Sequence, residues 1–128
     1  MDTPPPAPAA STEDNTVAIV SYLTFIGFIA AIIIHGNKKT ALGAFHLRQT
    51  LGLILTAIPV WISIMVLAVV LAFIPVIGPL MIMLIWACFA LSMLGLWIMG
   101  FIGAINKSMT PVPVVGPLYQ KWFANAFT

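Results

Sequence analysis

The feature that most constrains this chain is a stretch of 58 residues, from Gln49 to Asn106, that contains no charged side chain. It is too apolar to cover the surface of a soluble domain, and it is longer than the roughly 20 residues that one passage through a bilayer takes. Over all 128 residues, 62% are hydrophobic and 6% are charged, whereas soluble domains carry about 25% charged residues. The sequence therefore predicts a small all-α, polytopic integral membrane protein, and it argues against a soluble enzyme or a nucleic-acid-binding domain.

The uncharged stretch divides at Pro75–Pro79, because two prolines and a glycine within five residues cannot continue a straight helix. Another apolar run, Val17 to Ile34, has no charge in 18 residues. We predict a bundle of three transmembrane helices within a domain over 17–106, with spans at about 17–34, 50–74 and 79–105. An alternative of four crossings splits residues 41–74 near Pro59, but it buries Arg48.

Polar segments flank the predicted transmembrane domain. Residues 1–16 are rich in proline and carry all three acidic residues, so their composition predicts a disordered tail. Residues 38–49 predict a helix that leads into the second span. Residues 107–128 predict a cytoplasmic or interfacial tail with a short interfacial helix, whose rings suit the headgroup level: Tyr119, Trp122 and Phe123.

All five basic residues follow the first predicted span, and all three acidic residues precede it. With three crossings, every Lys and Arg lies on one side of the membrane. The positive-inside rule then predicts a multi-pass protein of the inner or plasma membrane, with its N-terminus outside and its C-terminus in the cytoplasm.

Small and weakly polar residues recur at helical spacing in each predicted span. Helices in lipid associate by close approach, which small residues permit. We therefore predict packing seams, within the bundle or between copies, at Thr24, Gly27, Gly52, Thr56, Pro59, Ser92, Gly95 and Gly103. Cys88 is expected to be a small packing residue, and Pro59 is expected to bend the second span because it removes the hydrogen bond to the carbonyl of Leu55.

One segment has the character of a signature, the run Phe45-His46-Leu47-Arg48-Gln49. On a helix, His46 and Gln49 share a face, and Arg48 points elsewhere, toward phosphates. We expect His46 and Gln49 to act as a pair that fixes the first loop against another part of the bundle. The alternative is a polar boundary that only sets the depth of the helix in the membrane.

This element also carries a family resemblance. Asn15 before the first span, the F-H-x-x-Q element at Phe45, His46 and Gln49, two further spans and a late Asn/Lys–Pro–Gly tail resemble a known family over roughly residues 15–125. It is the bacterial membrane domain of unknown function related to the Tic-twenty chloroplast protein-import component. The resemblance implies an integral membrane protein with a link to transport.

The predicted spans contain no Asp, Glu, Lys, Arg or His. Ion pathways and intramembrane catalysis use such groups, so we predict no catalytic, cofactor-binding or metal-binding residue. The favoured function is a non-enzymatic protein that acts through helix–helix contacts, as a homo-oligomer or as an accessory subunit of a membrane complex. The alternative, which follows from the resemblance, is a pore or translocation component. The expected partners are the lipid bilayer, further copies or other membrane proteins, and not nucleic acid.

Overall fold

The computed structural model describes residues 14–128, and these residues form five α-helices and no β-strand. The predicted all-α class is confirmed. The predicted tail over 1–16 lies outside the described residues except for its last three, and the first helix already begins at Thr16. The helices are α1 (Thr16–Leu23), α2 (Phe25–Asn37), α3 (Ala41–Leu71), α4 (Ile77–Ile105) and α5 (Gly116–Trp122).

Helices α3 and α4 are long enough and apolar enough to cross a bilayer. They contain 31 and 29 residues, which at 1.5 Å per residue is about 45 Å each, more than the ~30 Å of a hydrocarbon core. Of their most apolar stretches, 6% is buried in α3 and 0% in α4. The core helix of a soluble domain would be mostly buried, so this exposure supports a membrane environment.

The turn between α3 and α4 lies where the prolines predict it, since α3 ends at Leu71 and α4 begins at Ile77. Val76 has a φ of 68°, which a β-branched residue adopts only in a tightly constrained turn. A Cβ on Gly78 would collide with the carbonyl oxygen of Leu71, so glycine is needed there. Helix α3 runs unbroken through Pro59, and the alternative of four crossings is therefore wrong.

The first predicted span does not form one helix. Thr24 separates α1 from α2 with an extended backbone (φ −157°, ψ 175°), and its Oγ1 accepts a hydrogen bond from the N–H of Gly27 at 2.9 Å, which caps α2. Val17 of α1 lies in one buried cluster with Phe28 and Ala31 of α2, although a continuous helix would hold Val17 and Ala31 ~21 Å apart. Helices α1 and α2 thus form a hairpin, and the prediction of a continuous span over 17–34 is wrong.

Both ends of this hairpin reach the first turn of α3. A Cβ on Gly43 would lie 3.2 Å from Cγ1 of Val17, near the start of α1, and 3.0 Å from Nδ1 of His35, near the end of α2. The end of α4 is close as well, because the side-chain N–H of Asn15 donates to the carbonyl of Ala104 at 3.2 Å. The first turns of α1 and α3 and the last turns of α2 and α4 therefore meet.

We call this meeting point, together with α5, the basic end of the bundle. All five basic residues lie in or beside its segments: Lys38, Lys39, Arg48, Lys107 and Lys121. Asp14, which directly precedes α1, lies there too. The arrangement of the described residues thus differs from the prediction that the acidic N-terminal tail and the basic residues lie on opposite sides.

Helix α5 packs against α3 rather than lying apart from the bundle. The ring of Tyr119 is buried against Gly52, where a Cβ would overlap it, and the Tyr119 hydroxyl lies 2.6 Å from Oγ1 of Thr56. The ring of Tyr119 is thus enclosed by the bundle, where its hydroxyl has a partner, and the headgroup level of the three rings stays a prediction. Trp122 is 65% exposed.

Candidate functional site

Polar side chains converge inside the basic end, between α1 and α3. Tyr22, His46 and Gln49 are all buried. The amide Nε2 of Gln49 donates to the hydroxyl of Tyr22 at 2.7 Å, and that hydroxyl lies 3.0 Å from Nδ1 of His46. The two residues that the sequence pairs on one helical face therefore meet through a third residue from another helix.

The backbone groups at the two ends of this network determine the direction of each hydrogen bond. Nε2 of His46 lies 2.7 Å from the carbonyl oxygen of Ser108, which can only accept, so Nε2 carries the proton and Nδ1 accepts. Oε1 of Gln49 accepts from the N–H of Val112 at 2.9 Å, so the amide nitrogen faces Tyr22. The Tyr22 hydroxyl then accepts from Gln49 and donates to His46.

Helix α4 makes room for Tyr22 and holds its backbone. A Cβ on Gly100 would lie 2.7 Å from the Tyr22 ring, so only glycine lets the ring lie this close to α4. The indole N–H of Trp97 donates to the carbonyl of Tyr22 at 2.7 Å. That carbonyl belongs to the last turn of α1, where carbonyls lack partners within their own helix.

A second polar contact joins α1 to α3 beside this network. The hydroxyl of Ser21 donates to the carbonyl of Ala18 at 2.7 Å and lies 3.2 Å from Oγ1 of Thr50. A cavity of about 470 Å³ opens next to these two hydroxyls, at the tip of the hairpin, and its other lining residues are mostly apolar.

Four residues of the predicted signature each contact a different part of the C-terminal segment 106–128. His46 and Gln49 bind Ser108 and Val112, as described. The remaining two act farther along the chain: the carbonyl of Phe45 accepts from Nε2 of Gln120 at 2.8 Å, and Nε of Arg48 donates to the carbonyl of Ala126 at 3.0 Å. The Phe45 ring also lies edge-on to the His46 ring, with centroids 5.1 Å apart. The element thus attaches the C-terminal segment to α3.

Several of the predicted packing residues make close contacts within the chain. A Cβ on Gly27 would lie 2.6 Å from the carbonyl oxygen of Val20, at the bend of the hairpin. A Cβ on Gly103 would lie 3.6 Å from the His46 ring, which is ordinary contact. Thr24 caps α2, and Gly52 and Thr56 contact Tyr119 of α5.

The other predicted packing residues lie on open faces of α3 and α4. Nothing would lie within 4 Å of a Cβ on Gly95, so the expectation of a close contact at Gly95 is wrong within the chain, because no neighbouring helix covers that side of α4. Pro59 and Ser92 are exposed, and so is Cys88. Contact of this face with a second copy stays a prediction.

Asp14 is the one acidic residue within 14–128. Its Oδ1 accepts from the hydroxyl of Thr16 at 2.7 Å and from the N–H of Thr16 at 3.0 Å. These two hydrogen bonds, the side-chain bond first, hold the pKa of the Asp14 carboxyl below its ordinary value. The carboxylate thereby stabilises the first turn of α1.

Tyr22 is the network residue that sequence reasoning missed. A signal was present, since Ser21-Tyr22 interrupts an otherwise apolar run, and buried hydroxyls need partners. The arrangement is suited to holding segments together, because each polar group named in the network is paired with another part of the chain. No group of three or more His, Cys, Asp or Glu within residues 14–128 is placed to hold a metal ion.

Comparisons of the chain with protein-family models, with curated proteins and with solved structures give no match. The resemblance to the Tic-twenty-related family therefore stays a prediction, based chiefly on Phe45, His46 and Gln49.

Proposed function

We propose that this chain is a non-enzymatic membrane protein that acts through contacts of α3 and α4 with other helices in the bilayer, as a homo-oligomer or as an accessory subunit. The observation that carries the proposal is the exposure of these two helices along their apolar length. On α4, for example, Leu84 is 64% exposed and Leu91 is 69% exposed. Such surfaces suit lipid and partner helices alike, and small residues such as Ser92 and Gly95 would let a partner approach closely.

Polar groups are distributed in a way that favours helix contacts over a pore. The buried side chains with polar groups among the described residues all belong to the half of the bundle nearest the basic end: Ser21, Tyr22, His35, His46, Gln49, Thr50 and Tyr119. Beyond Ser63, helix α3 is apolar to its end. A water-filled path would need polar groups along the whole bilayer thickness, so a pore or translocation component remains the weaker alternative.

The bundle supports a topology of two crossings, by α3 and α4. Helices α1 and α2 contain 8 and 13 residues, or ~12 and ~20 Å, which is too short for a ~30 Å core. In this topology the hairpin enters the bilayer from the side of the basic end and leaves on the same side. The positive-inside rule predicts that this side is the cytoplasm, with both Asp14 and the last turn of α4 on it.

Cysteine labelling in intact cells tests this topology. With Cys88 replaced by Ser, we expect Asp14→Cys and Ala124→Cys to react with a membrane-impermeant maleimide only after permeabilisation. Ile74→Cys, in the α3–α4 turn, should react in intact cells. Labelling of Asp14→Cys in intact cells, with Ala124→Cys protected, would support three crossings instead.

Cross-linking in native membranes tests the helix contacts. Single cysteines at Leu91, Gly95 and Ile98 sample the exposed length of α4, whereas Ala104→Cys is a matched control on the same helix because Ala104 is 0% exposed. We expect products larger than the monomer from at least one exposed position and none from the control. Absence of such products at all three exposed positions would contradict the proposal.

A further inference from the structure

A second cavity, of about 380 Å³, opens at the basic end beside the first turns of α3. We call it the basic cavity. Its lining includes Lys39, Thr40, Ala41, Ala44, Arg48 and Phe127. It is distinct from the network of Tyr22, which faces the other side of α3.

The order of residues along α3 explains why a cavity forms here. Ala41, Ala44 and Arg48 follow one another at spacings of three and four, so they share a face of the helix. The two alanines leave space that a larger side chain would fill. The opposite face of the same turns holds large buried residues, such as Leu42 and His46, which anchor the helix in the bundle.

The cations of the basic cavity have no acidic side chain as a partner within residues 14–128. Arg48 donates from Nε to the carbonyl of Ala126, which uses one of the five N–H donors of its guanidinium. Lys39 donates to the backbone oxygen of Thr128 at 2.8 Å, which uses one of the three donors of its ammonium group. Helix α3 also begins beside the cavity, and the N-terminus of a helix carries a partial positive charge. The cavity is therefore suited to an anion with several oxygens.

We propose that the basic cavity binds the phosphate group of an anionic phospholipid. The guanidinium of Arg48 would donate two N–H groups to phosphate oxygens, and Lys39 would add a mobile charge. The inference rests on the proposed membrane location of α3 and α4, but it does not depend on their association with other helices.

The depth of the cavity agrees with a lipid headgroup. Arg48 lies in the second turn of α3, just before the apolar length that would cross the bilayer. Leu55 and Ile62 lie seven and fourteen residues farther on the same face, and they are 49% and 50% exposed. The acyl chains of a lipid whose phosphate binds Arg48 would therefore lie along this apolar face of α3. Basic pockets beside membrane helices on the cytoplasmic side bind anionic headgroups.

Native mass spectrometry of the whole protein in detergent, titrated with phosphatidylglycerol, tests the proposal. We expect Lys39→Gln and Arg48→Gln each to raise the apparent Kd about fivefold, the effect of one basic residue near an anionic surface. Lys121→Gln removes the same charge at the basic end but outside the cavity, and its Kd should stay near that of the wild type. An equal loss in Lys121→Gln, or equal binding of phosphatidylcholine by the wild type, would overturn the proposal.

Arg48→Gln also removes the hydrogen bond to Ala126, so a second variant separates binding from folding. Arg48→Lys keeps the charge but loses the planar guanidinium and its paired N–H donors. We expect weaker binding of phosphatidylglycerol with the fold retained. Wild-type Kd values in both Arg48→Lys and Lys39→Gln would overturn the proposal. Competition by inorganic phosphate distinguishes the two sources of the anion. We expect millimolar phosphate to leave phosphatidylglycerol bound, whereas its displacement would show that the site does not prefer the lipid to the soluble ion and would overturn the proposal. If the protein binds phosphatidylglycerol but gives no cross-linked products in native membranes, only the proposed association of α3 and α4 with other helices is refuted.

Discussion

The hydroxyl of Tyr22 in α1 lies 3.0 Å from Nδ1 of His46 in α3, and it accepts a hydrogen bond from Gln49 one turn farther along the same helix. One hydroxyl thus satisfies two buried side chains of a neighbouring helix. Apolar contacts in lipid do little to choose between helix partners, because the acyl chains are as apolar as the side chains. The network therefore gives a physical reason for the position of the hairpin against α3.

Replacing Tyr22 by Phe should destabilise the protein by about 1–3 kcal/mol, because it leaves Nδ1 of His46 and an amide N–H of Gln49 buried without a partner. The measurement is the free energy of unfolding in mixed micelles. Tyr119→Phe is the control, since the hydroxyl of Tyr119 has one partner, Thr56, and its loss should cost only about 0.5–1.5 kcal/mol. If Tyr119→Phe lowers the free energy of unfolding as much as Tyr22→Phe does, or more, the network stabilises the protein no more than a single hydrogen bond.

His46→Ala and Gln49→Ala should be coupled through the Tyr22 hydroxyl. We expect the double variant to lose less stability than the sum of the single variants, with a coupling energy of about 0.5–3 kcal/mol. In a Tyr22→Phe background the coupling should disappear. Thr56→Ala serves as the control, because its hydroxyl bonds elsewhere and its effect should add to that of His46→Ala. Simple additivity of His46→Ala and Gln49→Ala would mean that they are independent boundary residues.

Gly52→Ala should destabilise the contact between α3 and α5, because the added methyl group would overlap the ring of Tyr119. Overpacking of this kind costs about 1–3 kcal/mol. Gly95→Ala adds the same methyl group on an open face of α4, and we expect no loss of stability in the monomer. Thermal unfolding in detergent compares the two. A Gly95→Ala variant that is less stable than Gly52→Ala would contradict this assignment.

Thr16→Val should raise the pKa of the Asp14 carboxyl, since it removes the hydroxyl that contributes most to lowering this pKa. The folded pKa lies below the unfolded value of about 3.9. The contribution of Asp14 to the stability of α1 is therefore complete above that value, and it is lost as the pH falls through the lower folded pKa. Carbon-13 NMR of the carboxyl group gives the midpoint. Thr16→Ser keeps the hydroxyl and should leave the midpoint unchanged, whereas an unchanged midpoint in Thr16→Val would refute the assignment.

Local composition was enough to predict the class of the protein and its two long helices. Pro75 and Pro79 favour a break between α3 and α4, because proline disrupts a helix interior but is tolerated in the first turn, where Pro79 lies in α4. The apolar length of each helix is sufficient to cross a bilayer. The shared face of His46 and Gln49 follows from helical spacing alone, and α3 places both inside the bundle.

Tertiary structure decided how the first apolar run is used. Eighteen uncharged residues satisfy one crossing or a hairpin equally well, and Thr24 can stay in a helix or cap a new one. The choice depends on partners far away in the chain: the carbonyl of Ala104 for Asn15, and the side chains of His46 and Gln49 for Tyr22. For the same reason, the sequence did not reveal that Gly52 faces a ring while Gly95 faces open space. Spacing determines which residues share a helix face, but only the packed bundle determines what lies opposite that face.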